Sequence, residues 1–335
     1  MVLVTGGTGL VGAHLLLHLL QNNTKVRAIY RDGSNLNRVE KVFSYYTENA
    51  SGLFGQIEWV LADINDIPAL NIAFKNIDYV YHAAAMISFD PKDYYKLKKT
   101  NVQGTANIVN LCLSNSINKL CYVSTIGAIG KSLEGQKANE KNDWAGQDAN
   151  VYALTKYRAE MEVWRGSQEG LDVVIVNPGV IIGPGFWEQG SGNLFTTAYQ
   201  ARDYYPPSGT GFITINDVVK IMVELMQSKI INQRFIAVSE NMTYKDILTR
   251  LANAIDKKAP SKMLRFWQLH LLRFFDFFSS AITGNKRRIT KKTIHSLRHT
   301  EIYDNGKIME MLGFEFEDLN ECIMFCSERF REEYP

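Results

Sequence analysis

The sequence predicts an α/β fold, in which a doubly wound parallel sheet carries a smaller C-terminal lobe. Short, unbroken apolar runs alternate with helical patterns through the first half of the chain, which is typical of a parallel sheet covered on both faces. The alternating pattern ends after Pro178, where a loop rich in Gly and Pro begins. With 335 residues and 46% hydrophobic content, the chain can fill a large core with an appended lobe.

Six runs rich in β-branched or aromatic residues predict the strands of this sheet, and amphipathic or apolar patterns between them predict helices. Residues 1–178 are assigned to the sheet domain, with a strand and a helix near 210–240 returning to it. Residues 179–335 are assigned mainly to the lobe. The predicted strands are 2–4, 26–30, 57–62, 78–83, 120–125 and 173–178, and the predicted helices are 10–21, 93–115 and 150–168.

Charge is distributed unevenly along the chain. There are 37 Lys and Arg against 35 Asp and Glu, so the net charge of +2 gives no reason to expect nucleic-acid binding. Within residues 257–300, however, eleven Lys and Arg accompany the single acid Asp276, a local charge of +10. This basic segment is the candidate for electrostatic contact with a partner.

The cysteines and the N-terminal residues favour a cytoplasmic location. Four cysteines at irregular spacing make neither a disulfide framework nor a zinc site. Val2 to Val4 lead directly into glycines, with no basic region before an apolar signal core. The most apolar later stretch, 263–282, contains Arg265, Arg273 and Asp276, too many charges for a membrane-spanning helix.

Three glycines, Gly6, Gly9 and Gly12, lie between the first strand and the first helix. A glycine turn here lets backbone N–H groups approach a pyrophosphate, and the helix N-terminus offers the anion the positive end of its dipole. We expect Gly6 to make the tight turn, Gly9 to admit the phosphate and Gly12 to allow close packing. The pattern therefore predicts a Rossmann-type dinucleotide-binding domain, although a turn used only for packing would look similar.

The end of the second strand bears on the choice of cofactor. Arg31 stands where an arginine accommodates the 2′-phosphate of NADP, whereas Asp32, one residue later, keeps NAD open. Arg31 favours NADP, but a solvated loop charge is the simpler interpretation of the same residue. Asp63, after the third strand, is expected near the adenine amino group, although a turn aspartate would look alike.

A hydroxyl, a phenol and an amine form the candidate catalytic set. Thr125 ends the fifth strand, and Tyr152 and Lys156 are one helical turn apart, so they share a helix face. An ammonium beside a phenol favours the phenolate and lowers its pKa. The hydroxyl would hold a substrate oxygen while the phenol exchanges a proton with it, which is acid/base chemistry at a carbonyl.

These residues resemble the extended short-chain dehydrogenase/reductases, also called the NAD-dependent epimerase/dehydratase superfamily. Within it the chain is most similar to dihydroflavonol-4-reductase-like and 3-beta-hydroxysteroid-dehydrogenase-like members, through VRAIYR at 26–31 and AAMISFDPKD at 84–93. The other matching motifs are TGGTGLVG (5–12), ADIND (62–66), YHAAA (81–85), TNVQGT (100–105), ST (124–125), YALTK (152–156), NPGVIIGPG (177–185), ITINDVV (213–219) and YDNGKIMEMLGF (303–314).

The resemblance implies roles for further residues. It selects Thr125 rather than Ser124 as the catalytic hydroxyl, and Asn101 as support for a water or for Lys156. It also implies cofactor contacts at Thr8, Leu10, Val11, Ile64, Ala83, Ala84, Ala85, Pro178, Gly179 and Val180, in addition to Tyr152 and Lys156.

The substrate is expected between the carboxyl edge of the sheet and the lobe. Ile87 and Ser88 lie on one side, and an apolar wall of Phe186, Trp187 and Phe195 is predicted on the other. The alternative is that these aromatics pack the lobe onto the core.

Residues 263–282 form a predicted helix with a broad apolar face and its polar residues gathered on one side. Three interpretations compete: a packed lid or core helix, which is favoured, a contact with a partner subunit, and a peripheral membrane contact through 263–292.

No metal site is expected. The pairs His14/His18 and His295/His299 have the spacing of helical metal ligands but lack a third, carboxylate-rich element. His82 is interpreted as a structural group at a strand end.

Two reactions remain open. The first is an NADP- or NAD-dependent oxidoreductase that interconverts a ketone or aldehyde with an alcohol, on a moderately apolar substrate. The second is a nucleotide-sugar epimerase or dehydratase with tightly bound NAD, for which Arg202 and Arg234 are candidate diphosphate clamps. A homodimer is expected through the helices at 93–115 and 150–168, because these resemble the paired interface helices of the superfamily.

Overall fold

A computed structural model describes residues 1–131, 136–146, 149–283, 287, 290–298 and 300–334, with the backbone alone for 281–283. The strands are β1 Val2–Thr5, β2 Val26–Tyr30, β3 Glu58–Leu61, β4 Tyr79–His82, β5 Lys119–Val123, β6 Val173–Pro178, β7 Val180–Ile182, β8 Tyr204–Tyr205, β9 Gly209–Thr214, β10 Gln233–Ala237, β11 Glu240–Thr243 and β12 Lys262–Met263. The helices are α1 Leu10–Gln21, α2 Leu36–Ser44, α3 Ala50–Phe54, α4 Ile67–Ala73, α5 Tyr94–Leu97, α6 Gly104–Ser114, α7 Val151–Gln168, α8 Asn193–Tyr199, α9 Ile215–Gln227, α10 Tyr244–Ala254, α11 Phe266–Thr283, α12 Lys291–Ser296, α13 Gly306–Leu312 and α14 Leu319–Glu333.

The main sheet has seven parallel strands in the order β10-β6-β5-β4-β1-β2-β3. Its register pairs Val2 of β1 with Val26 on one side and with Tyr79 on the other. The strand order reverses between β1 and β4, and in open α/β sheets ligands bind in the crevice at that point. The predicted doubly wound fold is confirmed.

Both faces of the sheet are covered, which explains the unbroken apolar strands. On β6, Val174 and Val176 belong to the core under α1 and α9, whereas Val173 and Ile175 belong to the core under α6 and α7. Successive strand residues point to opposite faces, so both sets must be apolar.

The stretch predicted as one helix over 93–115 is divided. A 3₁₀ turn at Pro91–Asp93 and the short α5 lead into a π-helix at Lys98–Gln103, and α6 follows. The expectation of a single α-helix was therefore wrong. The π-helical segment contains Asn101, and such wide turns occur mostly at functional sites.

The second lobe has its own small sheets and core. Strands β11, β9 and β7 form one sheet, and β12 and β8 form another. Helices α8, α10 and α14 supply much of the core beneath them. Strand β10 joins the edge of the main sheet, and α9 packs on α1 in the main domain.

Candidate active site at the carboxyl edge of the sheet

The glycine turn after β1 is tightly built. Gly6 has a φ of +75°, and a Cβ there would lie 2.6 Å from the backbone nitrogen of Ala84. A Cβ on Gly12 would lie 2.1 Å from the carbonyl oxygen of Gly6. Side chains are therefore excluded at both positions, which leaves the backbone of the turn free to approach a ligand.

The N-terminus of α1 has the features of an anion site. Its N-cap is Gly9, which supplies no side-chain cap, and its first turn contains no acidic residue. The early N–H groups of a helix lack intrahelical partners, and here Leu10, Val11 and Gly12 carry them. Thr8 lies in the turn just before. A pyrophosphate requires backbone N–H donors that no side chain has already capped, and a turn whose glycines let it come close. These residues provide both and therefore fit a dinucleotide.

The far end of the crevice carries the residues expected at the adenosine. Arg31 is exposed, and its guanidinium has no hydrogen bond or ion pair within the described part of the chain. Asp63 Oδ1 accepts hydrogen bonds from the backbone and side-chain nitrogens of Asn65. Ile64 is buried, and its carbonyl accepts a hydrogen bond from Asn107. Asp63 is therefore a turn aspartate whose Oδ1 accepts hydrogen bonds from Asn65 within the turn. Its second carboxylate oxygen, Oδ2, takes no part in these two bonds.

The chain after β4 is fastened to the end of β1. Ala83 N donates to the carbonyl of Thr5 over 3.2 Å, and Ala84 N donates to Thr5 Oγ1 over 3.3 Å. Ala85 follows and is exposed. On the next strands, Gly179 N donates to the Ala237 carbonyl, between Pro178 of β6 and Val180 of β7.

Two hydroxyls end β5 and differ in availability. Ser124 is buried, and its Oγ donates to Glu160 over 2.6 Å. Thr125 is half-buried, and among the described residues its Oγ1 accepts only the Gly127 N–H, at 3.2 Å. A Cβ on Gly127 would lie 3.4 Å from the Ala153 Cβ and 3.5 Å from the Thr125 Cγ2, so the start of α7 packs against the turn that follows Thr125.

Tyr152 and Lys156 lie on the same side of α7 but do not bond to each other. Lys156 Nζ donates to Tyr122 Oη over 2.6 Å and to the Val123 carbonyl over 2.8 Å. Removal from water raises the pKa of Tyr152 to about 12 and lowers the pKa of Lys156 to about 7. The expected lowering of the phenol pKa by the ammonium is therefore absent, because burial acts alone on Tyr152 and the amine is held elsewhere.

Tyr122 is the functional candidate that motif reasoning missed. Its ring lies 4.2 Å from Lys156 Nζ, and the phenol is fully buried on β5. Beside it, His82 contacts Thr105 Oγ1 at 2.9 Å and Thr5 Oγ1 at 2.6 Å. Burial lowers the pKa of His82 to about 3, so it is neutral and structural. The alternation of side chains along β5 could have placed Tyr122 on the sheet face that α7 covers. No nearby residue in the sequence, however, indicates that Lys156 is its partner.

Asn101 is placed differently from the expected support of Lys156. Its amide pairs with the backbone N–H and carbonyl of Met86, at 2.8 and 3.0 Å, and donates to Thr155 Oγ1. The π-helical turn brings this side chain over the loop after β4. Asn101 is therefore a positioning residue for that loop and for α7.

The expected substrate residues separate into two groups. Ile87 is exposed, and Ser88 donates to Asp93 within the same loop. Phe89 lies edge-to-face with Tyr152, with ring centroids 5.7 Å apart. Phe186, Trp187 and Phe195 are instead buried, in the core beside α2 or against Phe330. Trp187 and Phe195 pack the lobe and Phe186 packs the core of the main domain, so the three do not form the expected apolar wall.

The histidine pairs do not form a metal site in the described part of the chain, which contains no group of three potential ligands. His14 is buried and contacts the Leu10 carbonyl and Tyr46. Burial lowers the pKa of His14 to about 4. Of the second pair, His299 lies outside the described residues.

The residues of this crevice fall within the part of the chain that matches a known protein family. A family model described as the NAD dependent epimerase/dehydratase family matches residues 2–236, which span the glycine turn, Tyr152 and Lys156. The chain belongs to this family. It is therefore an enzyme of the NAD-dependent epimerase, dehydratase and reductase group, and its cofactor is NAD or NADP.

A reductase is among the relatives of this family member, and an epimerase is among the solved structures that share its fold. The chain is 27% identical to a putative dihydroflavonol 4-reductase of Synechocystis over 96% of its own length and 91% of that protein. It is 28% identical to sterol demethylase protein B of Methylococcus capsulatus, over 73% and 72% of the two chains. The Thermus thermophilus UDP-glucose 4-epimerase complex with NAD superposes with a TM-score of 0.73 at 21% identity, covering 98% of each chain.

Within the described residues, no helix of this family member combines the length and apolarity needed to cross a bilayer.

Proposed function

We propose that this protein is an NADP(H)-dependent reductase that interconverts a ketone or aldehyde with an alcohol on an apolar substrate. The arrangement of Thr125, Tyr152 and Lys156 at the carboxyl edge of the sheet carries the proposal. Thr125 Oγ1 holds a hydrogen bond from Gly127 N and keeps its own proton for a substrate oxygen. Tyr152, on the helix packed against the turn after Thr125, supplies the proton.

The proton-supplying role fits the charge state of the phenol. With a pKa of about 12, Tyr152 is protonated at neutral pH and is ready to donate as an oxyanion develops. Phe89 shields the ring from one side. A nicotinamide held along the glycine turn supplies hydride chemistry when bound.

The preference for NADP is supported by Arg31. Its exposed guanidinium is available at the end of β2, where a 2′-phosphate would lie. We expect Arg31→Ala to weaken NADPH binding by about tenfold, the loss of one exposed charge-assisted contact, with NADH little changed. Fluorescence titration measures both constants, and Lys25→Ala is an exposed control. Equal losses for the two cofactors would remove the proposed 2′-phosphate contact.

The main alternative is a nucleotide-sugar epimerase, which the fold also supports. Of its two candidate clamps, Arg234 is already engaged with Glu160, the Glu140 carbonyl and the Asn142 carbonyl. A guanidinium with those partners has little capacity left for a diphosphate. Arg202 is exposed and remains the single clamp of that pair.

Deuterium at the transferable position of NADPH separates the two reactions. A reductase consumes the cofactor and places one deuterium in each alcohol formed from a panel of apolar ketones and aldehydes. An epimerase returns the hydride to the sugar and leaves the cofactor total unchanged. Label-free alcohol, or turnover of a nucleotide sugar at constant cofactor, would overturn the proposal.

A further inference from the structure

Helix α11 exposes an unusual number of apolar side chains. Trp267 and Phe275 are 61% and 60% exposed, whereas Leu269 on the same helix is 4% exposed. The exposed apolar residues of α11 are Phe266, Trp267, Leu271, Leu272, Phe274, Phe275, Phe277 and Phe278. The favoured expectation of a packed lid or core helix is therefore wrong for most of this face.

The helix is oriented with its polar side toward the protein. At 100° per residue, the buried Leu269 and Ser280 and the half-buried Arg273 and Asp276 fall within about 60° of arc. On the opposite side of the wheel, Trp267, Leu271, Phe274 and Phe278 fall within another arc of about 60°. The apolar stripe thus points away from the molecule, the reverse of an ordinary surface helix.

A stripe of large aromatics in water implies an external partner. Soluble monomers seldom expose contiguous apolar patches, and those that exist mark interaction sites. The ring centroids of Phe274 and Phe278 lie 4.6 Å apart with the rings tilted at 59°, so these two members of the stripe are in contact.

The charge around the stripe selects the partner. Residues 257–300 carry eleven Lys and Arg against Asp276 alone, a net +10. Arg265, Lys291, Lys292 and Arg298 are exposed on α11's N-terminal end and on or beside α12, which contacts α11. An anionic bilayer surface complements both properties, because its headgroups attract cations and its acyl boundary accepts Trp and Phe.

The charge also argues against a second copy of this chain. A two-fold contact through the stripe would bring the exposed cations near it, Arg265, Lys291, Lys292 and Arg298, close to those of the second copy, which is repulsive. The three polar residues on the inward side of α11 (Arg273, Asp276 and Ser280) and its contact with α12 favour a helix that lies in the interface plane.

We propose that α11 docks the protein on an anionic membrane surface, with the Trp267–Phe278 stripe in the headgroup and acyl boundary and the basic residues around it on anionic headgroups. The docked helix is connected to the candidate active site. Arg287 N donates to Asp90 Oδ2 over 2.9 Å, and Phe89, one residue before Asp90, contacts the ring of Tyr152. The membrane proposal stands independently of the reaction at Tyr152.

Vesicle flotation of the full-length protein tests the docking. We expect binding to vesicles of phosphatidylcholine with 30% phosphatidylserine, weak binding to phosphatidylcholine alone, and loss of binding as salt rises. The triple variant Trp267→Ser, Phe274→Ser, Phe278→Ser should bind at least about tenfold more weakly. Ile72→Ser, Met309→Ser, Met324→Ser is a matched control of three exposed apolar residues on other helices.

The charges are tested separately. Lys291→Glu with Lys292→Glu should weaken binding by about tenfold or more, since each cation near an anionic surface contributes several-fold. Lys25→Glu with Lys75→Glu, two exposed lysines of the main domain, should leave binding unchanged.

Depth is tested by a variant that keeps the apolar face. Brominated phosphatidylcholine should quench part of the tryptophan fluorescence of the bound protein, and Trp267→Phe should remove that quenching while binding persists. Circular dichroism and thermal midpoints establish that each variant is folded.

Three results would overturn the proposal. One is that the protein binds neither the phosphatidylserine-containing vesicles nor those of phosphatidylcholine alone. Another is a triple variant that binds as well as the wild type. A third is light scattering that shows a wild-type dimer converted to a monomer by the triple variant, which would assign the stripe to a second copy.

Discussion

Helices α7 and α11 are each 18 residues long, and each departs from the usual rule that polar side chains face water and apolar ones face the core. On α7, Lys156 and Glu160 are 2% and 0% exposed. On α11, aromatic residues are exposed instead. The difference lies in where the partners are. The buried polar groups of α7 have theirs inside the molecule, whereas the apolar groups of α11 have theirs outside it.

The partners of the buried polar groups on α7 are specific side-chain and backbone atoms. Glu160 accepts from Ser124 Oγ at 2.6 Å, from Asn177 Nδ2 at 2.9 Å and from Arg234 Nη1 at 3.2 Å. Lys156 has the Tyr122 hydroxyl and the Val123 carbonyl. Buried hydrogen bonds of this kind fix the geometry of the side chains that make them, which is what an acid/base site requires.

The largest effect is expected at the phenol of α7. Tyr152→Phe should reduce carbonyl reduction by roughly a thousandfold, because the variant cannot transfer the proton. Cofactor affinity should stay within a few-fold, as measured by NADPH fluorescence. Tyr157→Phe is the matched control, since Tyr157 lies on the same helix and stacks on Trp144. Undiminished turnover by Tyr152→Phe would contradict the proton role.

Removal of the buried carboxylate should be the largest stability effect. Glu160→Ala leaves Arg234, Ser124 and Asn177 without their shared acceptor, at a cost of about 3–5 kcal/mol in the free energy of unfolding. Glu162→Ala removes a half-exposed partner of Arg165 and should cost less than about 1 kcal/mol. Urea unfolding curves measure both, and similar values for the two variants would refute the contrast.

A pair of apolar substitutions compares the two helices directly. Val163→Ala, at a fully buried position of α7, should lower the free energy of unfolding by about 2 kcal/mol through lost burial and a cavity. Phe275→Ser on α11 should change it by less than about 0.5 kcal/mol, because the ring is exposed in the isolated protein. A large loss for Phe275→Ser would mean that the apolar side of α11 packs within the molecule.

The smallest effect concerns the protonation of Lys156. Burial already lowers its pKa to about 7, and Tyr122→Phe removes one of the two oxygens that accept from the ammonium. The charged form is thereby disfavoured, so the pKa should fall further, by about 1 to 2 units. Competitive labelling of the amine across pH, read by mass spectrometry, measures this without a substrate.

Tyr81→Phe is the control, a buried tyrosine on the neighbouring strand β4 that belongs to the opposite core. If the pKa of the Lys156 amine is the same in Tyr122→Phe as in the wild type, the Tyr122 phenol does not position Lys156.

Linkage gives the corresponding sign for stability. Lys156 is less basic in the folded protein than in the unfolded chain, so the unfolded chain binds more protons between about pH 7 and 10.5. The contribution of Lys156 to the free energy of unfolding therefore rises with pH across that window. Lys156→Met should flatten this part of the pH dependence.

The sequence by itself determined the sheet, the glycine turn and the candidate residues. Strand and helix periodicity is a local property, so 26–30, 173–178 and 10–21 were predicted with the bounds that the structure has. The spacing of Tyr152 and Lys156 placed both on one helix for the same reason.

Only the tertiary structure decided which groups meet. Lys156 donates a hydrogen bond to Tyr122, Asn101 pairs with Met86, and Trp187 and Phe195 pack the lobe, although nothing near each residue in the chain specifies its partner. The apolar stripe of α11 is likewise visible in the sequence, but its outward direction is not. Burial, hydrogen-bond partners and pKa values depend on the surroundings brought together by folding, and periodicity carries no information about those surroundings.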